Sequence, residues 1–173
     1  MRIGKLAPNF KIVAVYKHKI STIQLSDYHN KKYVLLLFYP ANFTKIAFDE
    51  LLLFNDNIET FKELSTQILA ISVDTPFSHL QLLKQIKLNF DITCLNYPLG
   101  SDLTHIIIQK YYVYSEYGTS FPSMFIIDKD GILQYSNVNI IIGIRRINDI
   151  IRILKSIQLL IEKYKKIKTK KFY

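Results

Sequence analysis

Apolar residues along this chain fall into two patterns, unbroken runs and helical repeats, and the two alternate. Residues 34–39 (VLLLFY), 68–73 (ILAISV) and 123–127 (SMFII) are almost wholly apolar. A strand that offers apolar side chains to both sides is one covered on both faces of its sheet, so these three predict buried strands. Between them, Leu51, Phe54, Ile58, Phe61 and Leu64 recur at three- and four-residue spacing. That spacing predicts an amphipathic helix over 47–64, with Asp49, Glu50, Asp56 and Glu59 on its wet face. A second helix is predicted over 75–86, with Asp74 or Thr75 as N-cap and Pro76 in the first turn. A third is expected over 103–111, and a last one over 147–164 from the repeat of Ile147, Ile150, Leu154, Ile157 and Ile161. Asp128, Lys129, Asp130 and Gly131 form a turn signal that joins strand 123–127 to one over 132–136 as a hairpin.

The order strand, helix, strand, helix, hairpin, helix predicts an α/β protein with a central mixed sheet flanked by helices, the order of a thioredoxin-like fold. Its 173 residues, 49% hydrophobic and 21% charged, suit one folded domain. The domain is expected over 1–164, with a lysine-rich tail at 165–173. No apolar run approaches the length of a membrane span; the longest lie at 34–38 and 140–144. The first ten residues, MRIGKLAPNF, lack the apolar stretch of a signal peptide, so a soluble protein is expected. Cys94 is the single cysteine, so no disulfide can form within the chain and a reducing compartment fits.

Charge is concentrated at one end. Residues 162–173 hold six lysines and one glutamate, so the rest of the chain carries only +4 of the net +9. A run from Lys163 to Lys171 could touch nucleic acid or an anionic membrane by charge attraction, but its ordinary reading is a solvated helix end. Heavy use of Ile, Lys, Asn and Tyr, with no Trp and five Gly, fits AT-rich coding and points to an organelle or endosymbiont genome.

Five blocks carry a family resemblance: GKLAPNF at 4–10, LSDYHNKKYVLLLFYP at 25–40, ISVDTPFSHL at 71–80, LNYPLGSDLTHII at 95–107 and FIIDKDGILQ at 125–134. In this order they resemble the typical two-cysteine peroxiredoxins, the alkyl hydroperoxide reductase C or thiol-specific antioxidant family, most closely its plastid and cyanobacterial type. The resemblance implies reduction of hydrogen peroxide and alkyl hydroperoxides with electrons from thioredoxin, through a sulfenic acid on a reactive cysteine. It also implies dimers or rings, and a plastid (chloroplast stroma) or otherwise cytoplasmic setting.

The family motif P-x-x-x-T-x-x-C falls on Pro40, Thr44 and Ala47, so alanine stands where the attacking cysteine belongs. In the family the proline shields the sulfur and the threonine hydroxyl bonds the peroxide. Glu50 falls on the acidic residue that orients an arginine beside the sulfur, and Pro122 stands where that arginine would be. A second family arginine maps to Arg145. Phe48 replaces the proline after the cysteine, the segment KLNFDITC replaces a glycine-rich one, and the lysine tail replaces the segment carrying the resolving cysteine. Changes that strike one mechanism at several points argue for natural drift. A methyl group supplies neither the charge nor the lone pairs of a thiolate. The expected function is a non-catalytic scaffold, or a partner subunit in a homo-oligomer or with active peroxiredoxin.

Other residues offer other chemistries less well. Cys94 could act as a displaced nucleophile, although its ordinary reading is a packed small residue. Pro122 before Ser123 is similar to the cis-proline that starts a strand in thioredoxins and pairs with thiol-bearing peptides, although no Cys-x-x-Cys accompanies it. His79, with His18, His29 and His105 scattered, does not make a metal site, and no cofactor is implied. No nucleophile elbow or glycine-rich phosphate loop is present.

Overall fold

The structure, a computed structural model, describes residues 1–139 and 146–170. Two strands open the chain, β1 (Lys11–Tyr16) and β2 (Lys19–Gln24), followed by a short 3₁₀ turn at Leu25–Tyr28. Then come β3 (Tyr33–Phe38), α1 (Lys45–Asp56), α2 (Ile58–Glu63), β4 (Thr66–Ser72), α3 (Pro76–Phe90) and β5 (Leu99–Ser101). The chain continues with α4 (Ile106–Lys110), β6 (Ser123–Ile127), β7 (Leu133–Val138) and α5 (Ile147–Lys170). The strands form one sheet in the order β2-β1-β5-β4-β3-β6-β7. β3, β4 and β5 run parallel at its centre, and the flanking pairs are antiparallel.

The unbroken apolar runs become the middle of this sheet because both faces are covered. Leu35, Leu37, Ile68, Ala70 and Ile126 turn toward α1, α2, α3 and α5, where they meet Leu51, Phe54, Phe61, Leu82, Ile86 and Leu154. Val34, Leu36, Phe38, Ile71, Phe125 and Ile127 turn the other way and pack with Phe10, Ile107, Ile108 and Tyr111. Tyr111 stacks edge-on with Phe125 at 5.1 Å, closing that side. This is the α/β thioredoxin-like arrangement expected from the element order.

Several expectations need correction. The helix predicted over 47–64 is two helices. At Asn57 the side-chain amide donates to the Leu53 carbonyl at 2.9 Å, and the backbone leaves helical geometry (φ −101°, ψ 12°). Glu50, expected on the wet face, is buried with 4% of its surface exposed. The helix at 103–111 shrinks to Ile106–Lys110 because Asp102 accepts the amides of Ile107 and Ile108 at 2.9 and 2.8 Å and fixes where it starts. α3 continues to Phe90, four residues past its predicted end, and stops where Asp91 takes a left-handed conformation (φ 55°). Thr75 is its N-cap, accepting the amide of Ser78, with Pro76 in the first turn. The 128–131 hairpin forms as expected. Asp128 accepts the amides of Asp130 and Ile132, both at 2.9 Å, and Gly131 supplies the positive φ of 77° that the turn requires.

β1 and β2 escaped the pattern. β2 is an edge strand, mostly exposed on both faces, and β5 is three residues long. At Gly100 in β5 a Cβ would come within 2.8 Å of the end of the Ile12 side chain and 3.2 Å of Ile71, so a larger residue would make both side chains shift.

α5 runs to Lys170, six residues past its predicted end at 164. Ile150 and Leu154 pack into the core, and polar contacts hold its later turns to the body. Gln158 donates to the Leu64 carbonyl at 2.7 Å, and Lys165 pairs with Asp130 at 2.9 Å.

Candidate functional site

β3 delivers the chain from the middle of the sheet into a short loop, 39–44, that leads to α1. Tyr39 keeps one more sheet hydrogen bond, its amide to the Ile71 carbonyl at 3.1 Å, and Pro40 then ends the pairing because it has no amide hydrogen. Phe43 takes a left-handed conformation (φ 60°) that turns its ring outward and aims the next residue into the helix. Thr44 is the N-cap of α1. Its hydroxyl accepts the Ala47 amide at 3.2 Å and donates to the Ala41 carbonyl at 3.3 Å.

Ala47 therefore sits in the first turn of α1, where the helix dipole is positive. It is 1% exposed and packs in the same cluster as Leu37, Tyr39 and Leu51. Glu50 lies buried one turn further on. Pro122 comes from across the sheet. Phe38 pairs with Ser123 in the β3–β6 ladder, so Pro122 lies one residue beyond that pair, alongside Tyr39. Ser120 strengthens the approach by donating its hydroxyl to the Tyr39 carbonyl at 3.0 Å. The fold thus brings Pro40, Thr44, Ala47 and Glu50 into one loop and helix start, with the segment of Pro122 beside them. Arg145 lies outside the described residues.

The cis-proline likeness of Pro122 does not hold, because no cis peptide bond occurs among the described residues. The backbone there is also engaged already. The Pro122 carbonyl accepts the Asn139 amide at 2.9 Å, and the strand it opens pairs on both sides, with β3 and β7. No free edge remains to take up a peptide.

Cys94 lies between α3 and β5 and is partly exposed rather than packed away. Its neighbours in sequence hold the segment against the later turns of α1. The Asn96 amide donates to Asn55 Oδ1 at 2.9 Å, and the Tyr97 hydroxyl donates to the Leu51 carbonyl at 2.6 Å. Those anchors are one to two turns along α1 from Ala47.

Pattern reasoning missed a buried polar cluster that supports the loop. The Asn42 amide donates to Asp74 Oδ2 at 2.8 Å, and the Asn42 side chain donates to Ser78 Oγ at 2.8 Å. Asp74 also accepts the hydroxyls of Ser72 (2.8 Å) and Ser78 (3.1 Å). The Tyr39 hydroxyl donates to Asn42 Oδ1 at 2.9 Å, and His79 Nδ1 lies 3.1 Å from the Asn42 side-chain nitrogen. His79 Nε2 is 3.2 Å from the Gly100 carbonyl, which can only accept, so the ring proton sits on Nε2 and Nδ1 accepts from Asn42. Burial holds the His79 pKa below its ordinary value, partly opposed by the Gly100 carbonyl and Asp74, and burial raises that of the Tyr39 phenol. The signal in the sequence was four polar residues from the end of a buried strand into the next helix, Ser72, Asp74, Ser78 and His79.

Over residues 40–50 the loop and helix start carry no sulfur, and the Thr44 hydroxyl is engaged both as donor and as acceptor. Among the described residues, no group of three or more His, Cys, Asp or Glu is placed to hold a metal ion.

Comparison with known proteins bears on what this geometry descends from. The model of the AhpC/TSA family matches residues 3–136, which include the whole of the loop and α1. The chain belongs to the AhpC/TSA family. Among AhpC/TSA relatives, it is 55% identical over 157 residues to peroxiredoxin ycf42 of Trieres chinensis, covering 91% of this chain and 77% of that one. It is 42% identical over 158 residues to the chloroplastic 2-cysteine peroxiredoxin of Chattonella marina var. antiqua, covering 91% and 81%. Its fold is similar to that of the reduced 2-Cys peroxiredoxin of Plasmodium vivax, with TM-score 0.86, 33% identity and coverage of 92% and 98%. Arg145 falls beyond the stretch that the AhpC/TSA family model matches.

Proposed function

We propose that this chain keeps the peroxiredoxin scaffold without its thiol chemistry and acts as a non-catalytic scaffold or partner subunit. One observation carries the reading: Ala47 is buried in the first turn of α1, at the position where the family motif on Pro40 and Thr44 places the attacking cysteine. A peroxidase cycle begins with a thiolate attacking the O–O bond, and alanine has no nucleophilic atom to offer. Thioredoxin, the family's electron donor, then has no sulfenic acid or disulfide to reduce on this helix.

Association with copies of itself, or with active peroxiredoxin, fits the surface around the old site. Phe43 on the loop and Phe77 in the first turn of α3 are both exposed, and each is the sequence neighbour of one partner in the Asn42–Ser78 hydrogen bond. Exposed aromatic rings at one place are the usual currency of protein interfaces. A plastid setting is supported by the chloroplastic name of the Chattonella relative.

The test mixes purified protein with excess hydrogen peroxide and follows peroxide loss together with Cys94 oxidation by intact mass. Expected is no turnover, with at most one stoichiometric oxidation of Cys94. Catalytic turnover that disappears in Cys94→Ser would replace this reading with a one-cysteine peroxidase.

A further inference from the structure

Between and just past the contacts of Gln158 and Lys165, α5 carries a line of apolar residues that stay largely exposed. Leu160, Tyr164 and Ile167 recur at four and three residues, which places them on one line along a helix. They are 67%, 63% and 57% exposed. Lys163 and Lys166, both exposed, lie on one flank of this line, and Leu159 lies among them. The core-facing side of the same helix is separate, with Ile157 and Ile161 packed on the main cluster.

We propose that the end of α5 is an interfacial helix that docks this protein on a bilayer surface rich in anionic headgroups. An apolar stripe edged with lysines is the arrangement that lies in the plane of a membrane, with apolar side chains in the acyl boundary and amines among the headgroups. Charge complementarity selects this occupant. A second copy of the strip would bring like-charged lysines together, whereas anionic lipid attracts them. A nucleic acid would use the lysines but leave Leu160 and Ile167 in water. The stretch from Leu159 to Ile167 is roughly 13 Å long at the α-helical rise, enough to lie along a headgroup layer and far too short to cross it. No described helix is long and apolar enough to cross a membrane.

The experiment uses the full chain in flotation with vesicles of phosphatidylcholine alone or with one third phosphatidylglycerol. Binding is expected only to the anionic vesicles. Leu160→Ser with Ile167→Ser leaves the charge untouched and should weaken binding on the order of tenfold or more. Lys163→Gln with Lys166→Gln leaves the strip untouched and should weaken it on the order of tenfold as well. The chain has no Trp, so Ile167→Trp gives a single tryptophan that, excited apart from the tyrosines, should shift its emission to the blue on anionic vesicles. Circular dichroism controls for folding, and all four substituted side chains are on the surface. Binding that survives the serine pair would overturn the proposal, because it would reduce the contact to charge alone. An unshifted Trp spectrum, or capture by an oligonucleotide without capture by vesicles, overturns it too, as does a serine pair that alters only the oligomeric state.

Discussion

The Thr44 hydroxyl accepts the amide of Ala47 at 3.2 Å while its own hydrogen goes to the Ala41 carbonyl at 3.3 Å. In the thiol peroxidases that this chain resembles, the same hydroxyl serves the peroxide. Here both of its hydrogen-bonding roles are used to hold the helix start. The N-cap has remained useful after the sulfur has gone.

That assigns Thr44 a measurable structural value. Thr44→Ala should lower stability by about 1 kcal/mol, the usual cost of an N-cap, and Thr44→Ser should restore most of it. Urea denaturation followed by circular dichroism reads both. Equal stability of all three proteins would mean that the cap contributes nothing.

Ala47→Cys should not rebuild an enzyme. The added sulfur would enter a site 1% exposed, and the resemblance puts the family arginine at position 122, where this chain has proline. Loss of one preorganised electrostatic partner commonly costs on the order of 100-fold or more in rate, so turnover should trail an active relative by at least that much. Stopped-flow peroxide consumption is the measurement. Turnover equal to that of the chloroplastic Chattonella protein would show that cysteine was the only thing missing.

Asn42 is the residue on which the buried cluster converges, bonding Asp74, Ser78, Tyr39 and His79. Asn42→Ala keeps the backbone bond to Asp74 but strips partners from the other three, and should cost about 2 kcal/mol. Thermal or chemical denaturation tests it. A change within the noise of a surface substitution would indicate that water replaces the side chain without loss.

His79 gives a pH dependence with a definite sign. Burial lowers its folded-state pKa beneath the ordinary value of 6.5, so the unfolded chain binds the proton more readily than the folded one. Its contribution is therefore complete above that value and lost as pH falls below it toward the folded pKa. The urea midpoint should drop between about pH 7.5 and about pH 5.5, and His79→Gln should flatten that slope. Asp102 works in the opposite sense at lower pH, since burial raises its folded pKa above 3.8. An unchanged slope in His79→Gln would assign the effect to another group.

What the sequence made legible follows from how each element is buried. β3, β4 and β6 stood out because Leu35 and Leu36, like Ile126 and Phe125, face opposite packed layers. β2 could not stand out, since an edge strand open to water on both faces has no apolar code. Glu50 misled because helical periodicity treats a carboxylate as a surface residue, and its burial depends on elements distant in sequence. Pro40, Thr44 and Ala47 could be placed because they lie within a few residues of one another in a motif. The cluster of Asn42, Asp74 and His79 could not, because it joins two strand ends and a helix that only the parallel β3–β4 pairing brings side by side. Cys94 was expected inside the fold and is partly exposed, because its segment is anchored through Asn96 and Tyr97 rather than through its own side chain.

Gln158 and Lys165 are seven residues apart, close to two helical turns, and both grip the same side of the body. Two grips on one line set the clocking of α5, so Lys166 and Ile167 point in directions decided upstream. Each residue added or removed between the last grip and the overhang would rotate everything beyond it by about 100°. Substitutions there change chemistry one side chain at a time, whereas a single-residue deletion would turn Ile167 away from the line of Leu160 altogether. The end of this helix should accept many replacements and few changes in length.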